Sequence, residues 1–362
     1  MSLVPIEPPM RRALELARQA WGQTHPNPMV GAVITENGKI VGEGFHAKAG
    51  EPHAEVMALR SLGRKPGAEA ILYVTLEPCC TQGRTPPCVE AIIQAGFRTI
   101  VVGALDPNPA HAGKGLDLLR AAGVSVIEGV LGEECEDLNL IFNHWITTQR
   151  PLMAVKVAST LDGKLVLALG EGKQITGAAA QADAHQWRRL FPAIAVSGDT
   201  LLADNPRLTS RGSSGEFSPI RFVLDRTLKS AGRAGLNLFQ DHHRSRTIVV
   251  GLAALARKSD LAWYEAEGIT VWALSGEAEQ FLDTWAQRCA AEGLTAVLIE
   301  AGPRLSSSLL RGAFADYLFA YVSPRLRGDP DSPAWFEGAE LPMVAVRTSA
   351  LGQDALFRGY LG

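Results

Sequence analysis

Continuous apolar runs of strand length alternate with helical runs over the first half of the chain. This alternation constrains the fold more than any other feature. "AILYVTL" reads as a buried strand, and "TIVVGAL" and "VSVIEGV" read as further strands. Between them lie "PPCVEAIIQAG" and "GLDLLRAAG". The first opens on prolines and closes at Gly96, the asymmetry of a helix. Upstream, "MVGAVIT" and "KIVGEGF" flank "ENGK", an Asn-Gly hairpin signal. "HAEVMALRSLG" has helical spacing and stops at Gly63. Helices covering largely parallel strands predict a layered α/β sandwich. The opening segment reads as a helix entered after Pro8 and Pro9, without the order of a secretory signal.

A second unit is expected from about Pro151, giving domains of residues 1–147 and 151–362. New strand runs follow there: "PLMAVKVAST", "AIAVSG", "IRFVLD", "TIVVGL", "ITVWALS", "TAVLIEAG" and "LFAYVSP". Helical patterns such as "AAQADAHQWRRLF" and "EAEQFLDTWAQRCAAEG" lie between them, and "TSRGSSGEFSP" reads as a surface loop. With 362 residues and 46% hydrophobic content, the chain can bury two cores.

Three of the five cysteines, Cys79, Cys80 and Cys88, crowd into "TLEPCCTQGRTPPC". An odd, sparse count argues against a secreted disulfide framework and for a reducing, cytoplasmic setting. His53 and Glu55 stand two residues apart in the opening turn of a helix, and Cys88 opens another, where the dipole favours a thiolate. One imidazole and two thiolates make a three-ligand zinc site with an open fourth position. Zinc lowers the pKa of bound water toward about 7, and a carboxylate beside it, here Glu55, can carry the proton. His-x-Glu followed by Pro-Cys and a further Cys is the zinc deaminase pattern. Eight residues separate Cys79 from Cys88, so Cys80 is an alternative second thiolate. The other reading is a structural zinc, with Cys80 or His46 as fourth ligand, or incidental buried thiols.

"THPNPMVGAVI", "GEGFHAKAGEPHAEVMAL", "YVTLEPCCTQGRTPPC" and "ALDPNPAHAGKG" together resemble the bifunctional riboflavin-biosynthesis deaminase–reductase family. The resemblance extends through "KVASTLDGK", "GDTLLADNPRLTSR", "FVLD", "EAGPRLSSSLL" and "VSPRLRG". It implies an α/β architecture with a cytidine-deaminase-like three-layer sandwich followed by a dihydrofolate-reductase-like domain that uses NADPH. By that resemblance His53, Cys79 and Cys88 bind Zn2+, Glu55 is catalytic, and Asn27, His46 and Arg84 face the deaminase substrate. Asn27 can equally organise the "HPNP" turn, and Arg84 can equally be a solvated loop charge. In the second half the resemblance assigns Lys156, Gly172, Arg188, Leu208, Arg211 and Glu300 to substrate. It assigns Ala158, Gln174, Thr200, Asp204 and the run Gly302, Pro303, Arg304, Leu305, Ser306, Ser307 and Ser308 to cofactor. Gly-Pro opening a helix after an apolar strand suits phosphate on its own chemistry. Arg188 and Arg211 suit a sugar phosphate.

The chain departs from the family pattern at three places. Cys80 and Thr81 stand where the family has Ser and His, Gln174 where it has Trp, and Arg226 where it has Ser. Arg226 can read the ribose phosphate of NADPH or be a loop charge. The implied activity is deamination of a phosphoribosylamino-pyrimidinone followed by reduction of its ribosyl chain to ribityl. A small phosphorylated pyrimidine is the expected partner, with no nucleic acid and no membrane, and a homo-oligomer is expected. Net charge is −3, which disfavours the first rival, a deaminase acting on nucleic acid. The second rival is a metabolite-binding protein with a structural zinc.

Overall fold

The computed structural model describes residues 6–81, 86–165, 174–212, 215–338 and 340–362. Arg84 and Gly172 lie outside the described residues. The chain forms two compact units, Met1–Gln149 and Arg150–Gly362.

In the first unit the order is α1 (Glu7–Arg18), β1 (Gly31–Glu36), β2 (Lys39–Phe45), α2 (Ala54–Leu62), β3 (Ile71–Leu76), α3 (Cys88–Ala95), β4 (Thr99–Ala104), α4 (Lys114–Ala121), β5 (Ser125–Glu128), α5 (Gly132–Leu138) and α6 (Leu140–Thr148). Helix α1 starts before the two prolines, which occupy its first turn, where a missing N–H costs nothing. Asn37 and Gly38 join β1 to β2 with φ of 50° and 74°, the left-handed pair that an Asn-Gly hairpin turn requires. The five strands run β2-β1-β3-β4-β5, with β3, β4 and β5 parallel. Alternate residues divide the faces. Ala32, Ile34, Leu72, Val74, Ile100 and Val102 meet α2, α3 and α4 in one core, while Gly31 turns toward α1. The sheet is thus the middle of three layers. Gly44 lets α2 lie almost on β2: a Cβ there would stand 2.4 Å from the Ala58 nitrogen. That close approach fixes the start of α2, where His53 and Glu55 sit.

The second unit contains β6 (Leu152–Thr160), α7 (Ala178–Leu190), β7 (Ala193–Ser197), α8 (Gly198–Asp204), β8 (Ile220–Leu224), α9 (Asn237–Gln240), β9 (Thr247–Leu252), α10 (Lys258–Ala266), β10 (Thr270–Leu274), α11 (Phe281–Ala291), β11 (Ala296–Glu300), α12 (Pro303–Arg311), β12 (Tyr317–Ser323), β13 (Met343–Leu351) and β14 (Asp354–Leu361). Its nine strands run β10-β9-β8-β7-β11-β6-β12-β14-β13. The first seven are parallel, and β14 and β13 extend the sheet antiparallel. Trp285, Phe222, Val250, Val297 and Leu309 anchor its core. The neighbouring C-terminal ends of β7 and β11 lead into α8 and α12, the end of an open parallel sheet where ligands bind.

Candidate active sites

His53 is the N-cap of α2, in extended conformation, and Cys88 is the first residue of α3. Each helix start therefore aims one ligand at the chain segment that follows β3, where Cys79 sits. His53 Nδ1 lies 3.2 Å from Cys88 Sγ and 3.5 Å from Cys79 Sγ. The Cys88 N–H donates to Cys79 Sγ at 3.3 Å. The ligand atoms of all three lie within 4.8 Å of one another. The hydrogen bond from Cys88 pulls Cys79 down to about 4, against burial and with help from His53. The same contact, together with burial, pushes Cys88 up. Holding a divalent cation would require both sulfurs as thiolates, so binding would release the protons they still carry. An imidazole and two sulfurs suit zinc, and three protein ligands leave a position open to the cavity. Glu55 is 3% exposed beside them, and burial pushes its carboxyl up.

Neither alternative fourth ligand joins the cluster. Cys80 Sγ faces His111 Nδ1 at 3.5 Å. His46 Nδ1 is 3.2 Å from the Pro52 carbonyl, its Nε2 is 3.2 Å from Asn27 Nδ2, and its ring meets His53 edge-on. Asn27 and His46 form one polar wall of a cavity of about 560 Å³ that includes His53, Glu55 and Cys79. Phe142 and Trp145 of α6 line another part. Asn139, just before α6, ties that helix to the 27–30 segment: its Oδ1 accepts from Met29 N–H at 2.7 Å and its Nδ2 donates to Met29 C=O at 3.0 Å.

Several cavity residues had no role assigned from sequence. The buried carboxylate of Glu77 accepts from the N–H groups of Asp106, Gly113 and Gly115 at 3.2, 2.9 and 2.9 Å. It thereby shapes the 106–115 loop, which brings Asp106, Asn108 and His111 to the cavity. Gly115 is required there, since a Cβ would stand 2.4 Å from the Pro78 carbonyl oxygen. A carboxylate at the end of a buried strand, two residues before a ligand cysteine, was the available signal for Glu77.

In the second unit Lys156 on β6 pairs in register with Glu300 on β11. Arg188 of α7 grips Glu300 with two hydrogen bonds, 2.6 and 2.8 Å, and donates to the Thr209 carbonyl at 3.1 Å. Arg188 therefore orders Glu300 and the 209 segment. Burial pushes the Lys156 ammonium down, with Glu300 opposing, and that ammonium stands 5.5 Å from the centre of the Tyr321 ring. Tyr321 donates to Asp183 at 2.7 Å. Lys156, His185, Arg188, Arg211 and Tyr321 line a cavity of about 180 Å³. Tyr321, His185 and Asp183 were not singled out from sequence; Tyr321 lies in an apolar run that reads as plain core. Leu208 is buried at φ 54° and is not among the residues lining this cavity.

The expected cofactor residues divide. Gly302 caps α12 without a side-chain partner, and a Cβ on it would stand 3.1 Å from Thr200 Oγ1. Gly302 and Thr200 thus meet where β11 and β7 end, an open cradle suited to phosphate. Ala158 lies half-buried on β6, opposite Tyr321. Gln174 is exposed, its carbonyl accepting from Arg325 at 3.1 Å. Asp204 ends α8 on an exposed side, and Arg226 is exposed after β8. Ser306 and Ser307 differ from expectation. They share the inward face of α12 with Leu309 and Leu310 and are buried, and the Ser306 hydroxyl faces the carbonyls of Gly302, Pro303 and Trp335. Arg304 and Ser308 lie on the exposed face, with Leu305 between.

Residues 5–104 match the family described as the cytidine and deoxycytidylate deaminase zinc-binding region, and residues 151–357 match the RibD C-terminal domain. A riboflavin biosynthesis protein RibD of Actinobacillus pleuropneumoniae is 39% identical over 96% of this chain and 93% of its own. That of Aquifex aeolicus is 41% identical over 88% and 87%. A solved diaminohydroxyphosphoribosylaminopyrimidine deaminase/5-amino-6-(5-phosphoribosylamino)uracil reductase from Thermotoga maritima superposes with a TM-score of 0.80 at 34% identity, over 98% of each chain. RibD of Acinetobacter baumannii gives 0.77 at 36% identity, again over 98% of each chain.

A zinc-binding deaminase domain followed by a reductase domain is the class these features define. The α/β architecture expected from sequence is that of the family's solved structures. The chain belongs to the RibD family, bifunctional enzymes of riboflavin biosynthesis. No helix among the described residues is long and apolar enough to cross a membrane.

Proposed function

We propose that the first unit deaminates 2,5-diamino-6-(5-phosphoribosylamino)pyrimidin-4-one and that the second reduces the ribosyl chain of the product to ribityl with NADPH. The observation that carries this reading is the convergence of His53, Cys79 and Cys88 beside buried Glu55, with His53, Cys79 and Glu55 lining one cavity. Zinc held by the three ligands supplies an activated water at neutral pH, and the nicotinamide supplies a hydride. Glu55 does the proton work, taking one proton from the attacking water and delivering one to the departing amine. Asn27 and His46 orient the pyrimidine edge. In the second unit Lys156, positioned by Glu300 and Arg188, hydrogen-bonds the sugar oxygen that gains a proton. Arg211 holds the sugar phosphate, and Gly302 with Thr200 receives a cofactor phosphate.

Cytoplasmic location and a homo-oligomer complete the reading. All five cysteines are free thiols, which suits a reducing compartment. Val344, Val346 and Phe357 are exposed on the β13–β14 hairpin at the sheet edge, and exposed apolar surface at a strand edge invites a second copy. The test is ammonia release and NADPH oxidation by purified protein of measured zinc content. Zinc-loaded protein that releases no ammonia from this pyrimidinone would overturn the first half.

A further inference from the structure

Three observations meet at His111. Its ring lines the deaminase cavity. Its Nδ1 is 3.5 Å from Cys80 Sγ and its Nε2 is 3.4 Å from Thr81 Oγ1. Cys80 and Thr81 are also the two positions at which the loop departs from its family's pattern, a histidine being absent at 81. The backbone beneath His111 is fixed from below: Glu77 accepts from amides on both sides of it, at Asp106, Gly113 and Gly115.

Resting on the function proposed above, we infer that His111 is a substrate-binding residue of the deaminase site and takes the phosphate-bearing end of the substrate. Cys79 and Cys80 are adjacent yet face opposite ways, Cys79 toward His53 and Cys80 toward His111. The amino-bearing ring carbon must lie at the metal ligands. His111 stands outside that cluster, on a wall of the same cavity that is open to the rest of the substrate. Cys80 holds Nδ1 and leaves Nε2 with a long contact to Thr81, which an anionic oxygen displaces with little loss. The Thr81 hydroxyl then serves as a second donor. Lys114 adds positive charge to the same loop: its ammonium donates to the Ala110 carbonyl at 3.1 Å. The imidazole absent from position 81 is thus supplied from position 111, across the same wall.

The experiment measures steady-state ammonia release and zinc content for the unaltered protein, His111→Ala, and the double variant Thr81→His with His111→Ala. Each is assayed with the phosphorylated pyrimidinone and its dephosphorylated form. With the phosphorylated substrate, His111→Ala should raise KM about tenfold, the worth of one charge-assisted hydrogen bond, while kcat and zinc content hold. The double variant should recover most of the loss. With the dephosphorylated substrate the three proteins should agree. An unchanged KM, an equal rise on both substrates, or loss of zinc in His111→Ala would each overturn the inference. No ammonia from the unaltered protein would instead remove the deaminase reading on which it rests.

Discussion

Arg188 and Glu300 hold each other through two parallel hydrogen bonds, 2.6 and 2.8 Å, with each side chain only 16% exposed. Removing one partner strands the other's charge, which costs about 3 kcal/mol for a pair this buried. Arg188→Ala should therefore lower the denaturation midpoint of the reductase unit and abolish its NADPH oxidation. Arg188→Lys should restore little, because an ammonium cannot make the two-pronged contact. Ammonia release should persist in both. A variant with an unshifted midpoint would show that the pair contributes nothing to stability.

The same pair sets a pH dependence. Burial pushes the Glu300 carboxyl up, but the charges of Arg188 and then Lys156 outweigh it and leave it at about 2. The unfolded chain carries it near about 4.3. A carboxyl lowered on folding contributes stability that is complete above the unfolded value and lost as pH falls through the folded one. The contribution is about 3 kcal/mol. Denaturation midpoints should fall between about pH 4.3 and about pH 2, and Glu300→Gln should flatten that fall. Equal slopes in the two proteins would contradict the assignment.

Zinc content separates the cysteines. Cys88→Ser should lose the metal and Cys80→Ser should retain it, since Cys80 is turned to His111. Elemental analysis decides, and the reverse pattern would place Cys80 in the ligand set.

Glu55→Gln should keep fold and zinc but lose about 10²–10⁴ in the rate of ammonia release, the usual worth of a general acid–base group. NADPH oxidation with pre-deaminated substrate should survive. Near-normal ammonia release would remove Glu55 from the chemistry.

Gln174 is exposed, and the family resemblance implies an aromatic at this position. An aromatic contact is worth about 0.5–1.5 kcal/mol beyond area burial, up to about tenfold in affinity. Gln174→Trp should lower the NADPH Michaelis constant with turnover nearly constant. No change would show that this position does not touch the cofactor.

What the sequence made legible followed from strong local constraints. The central parallel strands of both units, such as β3, β4, β7 and β11, are nearly unbroken apolar runs because both their faces are buried, whereas the edge strands β5 and β10 are largely exposed. Gly63 and Gly96 end α2 and α3 in the left-handed conformation. The convergence of His53, Cys79 and Cys88 was legible because few side-chain types can bind zinc. The β13–β14 hairpin was missed because most of β13 is exposed and gives no burial periodicity. Ser306 and Ser307 were read toward the cofactor because a serine carries no mark of the helix face it occupies. Glu77 and His111 escaped because their roles arise between segments some 30 residues apart in sequence.

Glu77 holds the 106–115 loop through backbone amides, which every residue type except proline possesses. The side chains at 110 and 111 take no part in those three hydrogen bonds. A substitution at 111 can therefore alter this wall of the cavity while the amides that anchor the loop keep their partner.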